Sequence, residues 1–324
     1  LQARAFPDGL PAAQLRIPAL HAGGWWDPIN TWALRDWAIA GSNAPAAADQ
    51  QLLMAATNHI GVCFDCGDEP GMPPDPAQAL EPSLRFFERH LRGGGEDGTA
   101  PVRFEIAGAG WRTAERWPPP GTRPWTLHLV AAARAAGSLV GGALAGRPDH
   151  TSSVARWIHD PSAPVPSLGM DPIRAIAHEA AIHLRPDVAT FTSEPVSRSI
   201  DLVGPAVAML EFESDAPCTH LVATLVTLAP DGVAHQLLEG ITAVDTLHGP
   251  VLAVVELGAI AFRLRRGHRL RLAIASSRFP TYLPHPGTSE DVWTAVRTRA
   301  TSQRLVAGGP LGSRLQLSTL RARR

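Results

Sequence analysis

Apolar positions along this chain follow two different periods. Up to about residue 100, short apolar runs alternate with stretches of helical spacing. Residues 16–22 read as a buried strand, and a helix is expected over about 28–40, where Ile29, Ala33, Asp36/Trp37 and Ala40 recur at helical intervals. Residues 51–57 read as a second buried strand. The Gly-, Pro-, Asp- and Cys-rich residues 60–77 then predict a loop that would rim a site at the strand ends. Leu80, Leu84, Phe87 and Leu91 mark one face of a second helix, stopped by Gly93-Gly94-Gly95. Strand–helix alternation of this kind predicts part of a parallel sheet. From about residue 101 the period drops to two. Val102, Phe104 and Ile106 alternate with Arg103 and Glu105. Leu221, Ala223 and Leu225 share one strand face, and residues 269–274 place arginines outward and aliphatics inward. Strand-like runs punctuated by Pro, Gly and Asp continue to the end, as in a sandwich or jelly roll. Residues 131–150 and 281–300 are expected to be long connections.

Chemistry concentrates where the first two strands end. Asp27 closes the run Gly23-Gly24-Trp25-Trp26-Asp27, and His59 follows Ala56-Thr57-Asn58. Open α/β sheets place their sites at carboxyl strand ends. An acid and then a histidine at two such ends form the back half of a Ser…Asp…His order. Plainer readings exist for both. Asp27 before Pro28 makes a common helix start, with Asp as N-cap and Pro at the first helical position, and a loop histidine can simply bond to backbone. No serine precedes Asp27, and Gly-x-Ser-x-Gly occurs nowhere in the chain. Ser42, Ser276 and Ser277 lack elbow glycines on both sides. Trp25 and Trp26 are expected to pack around the acid together with His21, and Trp32 and Trp37 to serve as core or domain contacts.

Several stretches, in order, resemble the CocE/NonD hydrolases, the family of cocaine esterase and glutaryl acylase, to which X-Pro dipeptidyl-peptidases are related. They are Gly24-Trp25-Trp26-Asp27, Asn58-His59, Phe86-Phe87-Glu88-Arg89-His90-Leu91-Arg92-Gly93, Trp111-Arg112 and Trp117-Pro118-Pro119. The likeness continues in Asp160-Pro161-Ser162-Ala163-Pro164-Val165-Pro166-Ser167-Leu168-Gly169, Arg185-Pro186-Asp187-Val188 and Phe191-Thr192-Ser193-Glu194-Pro195. It ends in Pro230-Asp231-Gly232, Gly267-His268-Arg269-Leu270-Arg271-Leu272 and Ser276-Ser277-Arg278-Phe279-Pro280. Trp26 stands where the family has tyrosine, and Ala56-Thr57-Asn58-His59 departs from its Pro-Trp-Ser/Thr-His. The resemblance implies the C-terminal part of an α/β-hydrolase domain over residues 1–98 and a jelly-roll β-sandwich domain over 99–324. It implies Asp27 as the triad acid and His59 as the base, with serine and oxyanion hole in a segment supplied in cis or in trans. Gly267-His268 is assigned to turn geometry, and Asp187 and Glu194 to structural hydrogen bonds.

Composition narrows the partners. Net charge is −1 and all 29 basic residues are arginine, so no electrostatic case exists for nucleic acid or an anionic membrane. No apolar run reaches membrane-span length, and the first residues lack a signal-peptide layout. Three cysteines argue against a disulfide framework and favour the cytoplasm. Cys63 and Cys66 have redox or zinc spacing, but one pair cannot fill a tetrahedral zinc site. No cofactor or metal is expected. The reading is a serine acyl hydrolase acting on a small ester or amide, inactive as an isolated chain without its nucleophile. The alternative is a non-enzymatic jelly-roll module for binding or homo-oligomer assembly.

Overall fold

The computed structural model describes residues 12–43, 46–61, 76–93, 100–167, 180–309 and 312–321. The Cys63/Cys66 pair, most of the predicted 60–77 loop and the glycines at 94–95 lie outside these residues. The chain opens with β1 (Ala19–Trp26), α1 (Asn30–Asn43), β2 (Gln50–Asn58) and α2 (Pro76–Arg92), followed by β3 (Val102–Ile106) and β4 (Gly110–Ala114). These strands form a four-stranded sheet in the order β1-β2-β3-β4. β1 pairs parallel with β2, β2 parallel with β3, and β3 antiparallel with β4. Helical crossovers join the parallel neighbours, as parallel pairing requires. β2 is interior, paired in parallel on both sides, with Leu52, Leu53, Met54 and Ala56 all buried. That is why its sequence is apolar throughout rather than alternating.

α1 begins where the pattern places it. The Asp27 carboxylate accepts the Ile29 N–H at 2.9 Å through Oδ1, while its carbonyl accepts the Asn30 N–H at 3.0 Å. A short polar side chain thus satisfies a donor the first turn leaves open. The predicted face of α2 differs from a core-facing stripe: Leu80, Leu84, Phe87 and Leu91 are exposed, and Phe86 is the buried position.

The remaining strands are β5 (Thr122–Val130), β6 (Gly142–Ala145), β7 (Ser153–His159), β8 (Ala189–Ser193), β9 (Ile200–Ser214), β10 (Cys218–Leu228), β11 (Ala234–Asp245), β12 (Val251–Leu264), β13 (Arg269–Ala275), β14 (Thr301–Ala307) and β15 (Arg314–Leu320), with the single turn α3 (Ala180–His183). They join into one 11-stranded set in the order β11-β10-β13-β8-β6-β5-β15-β9-β14-β7, with β12 paired to β9. Its pairings are antiparallel apart from β6 with β8. The described residues are therefore mostly β.

Four expectations change. Val102, Phe104 and Ile106, read as the opening strand of the second domain, lie on β3 in the first sheet, because their inward face completes the packing against β2. Glu105, expected outward, is buried. Arg271, also expected outward, is buried and donates to Thr192 Oγ1 at 3.0 Å and the Leu139 carbonyl at 3.0 Å. Alternation separates two strand faces but does not reveal whether other elements cover the outer one. Within the predicted connection 131–150, residues 142–145 form β6 between β5 and β8. By contrast, residues 281–300 contain no strand or helix.

The two sheets meet through backbone as well as side chains. Ala107, just past β3, donates to the Ala261 carbonyl at 3.0 Å and accepts from Arg263 N–H at 2.9 Å. Trp25, Phe104, Phe262 and Leu238 belong to one continuous apolar core that spans both sheets.

Candidate active site

Asp27 and His59 stand at the carboxyl ends of adjacent parallel strands, where Trp26 pairs with Asn58. Asp27 Oδ2 lies 2.9 Å from His59 Nδ1. The Asp27 side chain is 11% exposed and that of His59 is 56% exposed. Each oxygen of Asp27 thus has its own partner: Oδ1 caps the α1 turn and Oδ2 meets the imidazole. Helix cap and triad acid were rival readings of this residue. The geometry allows both, since a carboxylate fixed by a backbone N–H is held to aim its other oxygen. With Nδ1 carrying the proton toward Asp27, Nε2 is the nitrogen left to act as a base.

Close strand packing makes the arrangement fit. A Cβ on Gly24 would overlap the carbonyl oxygen of Thr57 and lie 2.7 Å from Thr57 Oγ1. Only glycine lets β1 and β2 approach this closely where β1 shifts register between Gly24 and Trp26. Trp25 Nε1 donates to the Glu105 carbonyl at 2.7 Å, and Trp26 Nε1 to the Gln236 carbonyl at 3.1 Å. The two tryptophans are buried beside the strand end, and both also border the cavity next to Asp27. His21 meets Gln50 through Nε2 at 2.9 Å. Trp37 is core, whereas Trp32 is 42% exposed.

Sequence reasoning missed three supporting residues. Glu105 Oε2 accepts the Ala56 N–H at 2.9 Å, pinning the strand that delivers His59, and burial pushes its carboxyl above the usual range. Asn30 donates through Nδ2 to the carbonyls of Trp25 (3.0 Å) and Ala259 (3.3 Å), tying the start of α1 to β12. Asn58 Oδ1 accepts the Ile60 N–H at 3.2 Å beneath the His59 turn. Glu105 carries only the signal of a polar residue one step inside a strand end, Asn30 stands at the first position of α1, and Asn58 is the polar last residue of β2.

A cavity of about 410 Å³ opens beside Asp27, between the start of α1 and strands β11 and β12. Its walls include Trp26, Trp32, Leu257, Tyr282 and the Glu239–Arg278 pair. That pair is buried at 2.8 Å. Arg278 also donates to Gln236 Oε1 at 3.1 Å, and Thr224 donates to Glu239 at 3.0 Å. The remaining candidates are structural. Ser276 accepts from Trp157 Nε1 at 3.2 Å and Ser277 from the Val165 N–H at 3.0 Å, while Ser42 is exposed on α1. Asp187 forms an ion pair with Arg185 at 2.8 Å, Glu194 lies 3.6 Å from Arg269, and Gly267 has φ +84° in a turn. Among the described residues no helix is long and apolar enough to cross a membrane, and no group of three or more His, Cys, Asp or Glu is placed to hold a metal.

Residues 94–311 match a family model described as the X-Pro dipeptidyl-peptidase C-terminal non-catalytic domain. Cocaine esterase of Rhodococcus sp. (strain MB1 Bresler) is 30% identical over 292 residues, covering 83% of this chain and 50% of that protein. An aminopeptidase from a marine sediment Thaumarchaeota archaeon superposes with TM-score 0.82 at 17% identity, over 95% of this chain and 56% of the other. An alpha-amino acid ester hydrolase gives 0.78 at 21% identity, over 95% and 56%. These relatives are esterases and peptidases, so the class the matches define is a family of hydrolases. The chain belongs to the family of the X-Pro dipeptidyl-peptidase C-terminal domain, and it is similar to cocaine esterase over a longer stretch. It spans about half the length of the relatives it matches. Asp27 and His59 precede residue 94, outside the domain described as non-catalytic. The likeness to cocaine esterase covers more of the chain than that domain does, so it reaches beyond it.

Proposed function

We propose that this chain supplies the acid and base of a serine acyl hydrolase acting on a small ester or amide. The observation that carries the reading is the 2.9 Å contact of Asp27 Oδ2 with His59 Nδ1 at neighbouring strand ends. Asp27 holds the imidazole in the tautomer whose Nε2 accepts a proton, and stabilises the imidazolium that follows. His59 takes the proton of a serine hydroxyl as it attacks the acyl carbon, then returns it to the leaving group. The serine comes from a further segment of the hydrolase, in cis or on another polypeptide. The cavity beside Asp27 has a volume suited to a small acyl or leaving group. In this reading residues 1–98 are the C-terminal part of an α/β-hydrolase domain and 99–324 a jelly-roll domain. β3 and β4 then follow the second in chain order and the first in hydrogen bonding. The exposed stripe on α2 and the edge of β1, which has no strand partner among the described residues, suit cover by that further segment.

The chain alone is expected to leave a fluorophosphonate probe unreacted and to hydrolyse p-nitrophenyl acetate no faster than free imidazole. Stoichiometric labelling would overturn the missing-nucleophile reading. Joined to a segment bearing the serine elbow, it should gain labelling and turnover. Asp27→Asn should then lower turnover by about 10⁴-fold with labelling slowed in step. No turnover in the joined protein, or equal turnover in Asp27→Asn, would favour the non-enzymatic module.

A further inference from the structure

Away from the dyad, three histidines and a cysteine converge under the strandless segment 281–300. His159 ends β7, while Cys218 and His220 begin β10, and all three reach toward residues 283–288. His159 Nε2 donates to the His285 carbonyl at 2.8 Å. His220 donates to the Leu283 carbonyl. The Gly287 N–H donates to His285 Nδ1 at 3.2 Å, which leaves the His285 proton on Nε2, 3.4 Å from Cys218 Sγ. The His220 and His285 rings stand 5.1 Å apart, edge to face. His159, His220 and His285 are all at most 5% exposed.

His285 and His220 are bonded in a way that suits only the neutral form. A second proton on His285 would displace the Gly287 N–H. A second proton on His220 would sit on Nδ1, which is buried without a partner. Burial lowers all three from the ordinary histidine range, His220 to about 4, and repulsion from neighbouring rings adds to the effect at His220 and His285. The charged groups facing the cluster are Asp160 and Asp187 beside His159, which oppose the lowering there, and Asp245 beside Cys218.

The latch is one residue from the cavity. Leu283, which accepts from His220, follows Tyr282, and Tyr282, Thr281 and Arg278 form one wall of the space beside Asp27. We propose that the His159–His220–His285 cluster is a proton-operated latch that holds this wall shut when neutral and releases residues 281–288 when protonated. The claim concerns the wall and does not depend on Asp27 and His59 being triad members.

The sign is set by where the protons bind. An opened segment takes up protons near pH 6.5, whereas the closed one resists them down to about pH 4 at His220. The latch is therefore fully closed above pH 6.5 and weakens as pH falls toward 4. His220 alone lowers the closed-to-open ratio by about 10²-fold over that interval. Tyr282 is the single tyrosine of the chain, so 3-fluorotyrosine labelling gives one ¹⁹F resonance at the wall. We expect one signal at pH 7.5 and a second, more solvent-exposed signal growing between pH 6.5 and 4, with the far-ultraviolet circular dichroism of the folded sheets unchanged. The double variant His220→Gln/His285→Gln should keep its signal constant over that range. If that variant does not fold, His220→Gln alone must move the transition to lower pH. A signal that shifts only together with global unfolding, or shifts equally in the variants, overturns the proposal whatever the hydrolase assays give.

Discussion

Glu239→Ala should lower the unfolding free energy by about 3–5 kcal/mol, the usual consequence of stranding a buried charge. Arg278 is 4% exposed and Glu239 9% exposed at their side chains. Removing the carboxylate leaves the guanidinium with the Gln236 amide oxygen and the Pro166 carbonyl as neutral acceptors in a poorly solvated site. Thr224 loses its acceptor as well. Glu239→Gln keeps volume and hydrogen-bonding capacity and should lose distinctly less. Adding Arg278→Ala to Glu239→Ala should recover part of the loss, because the stranded charge is then gone. Urea titration of the four proteins separates these cases. A Glu239→Ala loss within 1 kcal/mol of zero would mean that water reaches the pair.

The second large effect is expected at Gly24. Gly24→Ala forces β1 from β2, since the new methyl overlaps a backbone oxygen that no rotamer change can move. About 3 kcal/mol is expected, the upper range for overpacking a tight contact. The strain falls one turn from Asp27, so the contact with His59 Nδ1 should loosen too, visible as faster solvent exchange of the Nδ1 proton by NMR. Gly23→Ala is the control. Its methyl would meet only the flexible end of Met54, at 3.4 Å from Sδ. Equal losses at the two positions would refute the close-approach argument.

The dyad was legible in the sequence because its signals are local: an apolar run, a polar terminator, an Asp-Pro helix start. β1, α1, β2 and α2 were legible for the same reason. What escaped depends on partners distant in the chain. Val102–Ile106 reads as the same half-buried strand whichever sheet it joins, and only pairing with β2 decides. Glu105 and Arg271 looked like outward positions because alternation carries no record of what covers a face. β6 escaped because Gly142 and the alanines around it have little side chain to display a period. His159, His220 and His285 lie on three separate stretches, and nothing in any one of them announces the other two.

Ala107 has a mechanical consequence. Its two backbone bonds to Ala261 and Arg263 splice a short peptide of the first sheet onto β12 of the second. Force applied at the dyad runs through β2 and β3 into that splice rather than into a slack tether. A protease acting on the folded chain would find no hinge between the sheets near residue 107. The strand ends carrying Asp27 and His59 are thus anchored to the larger sheet as one stiff lever.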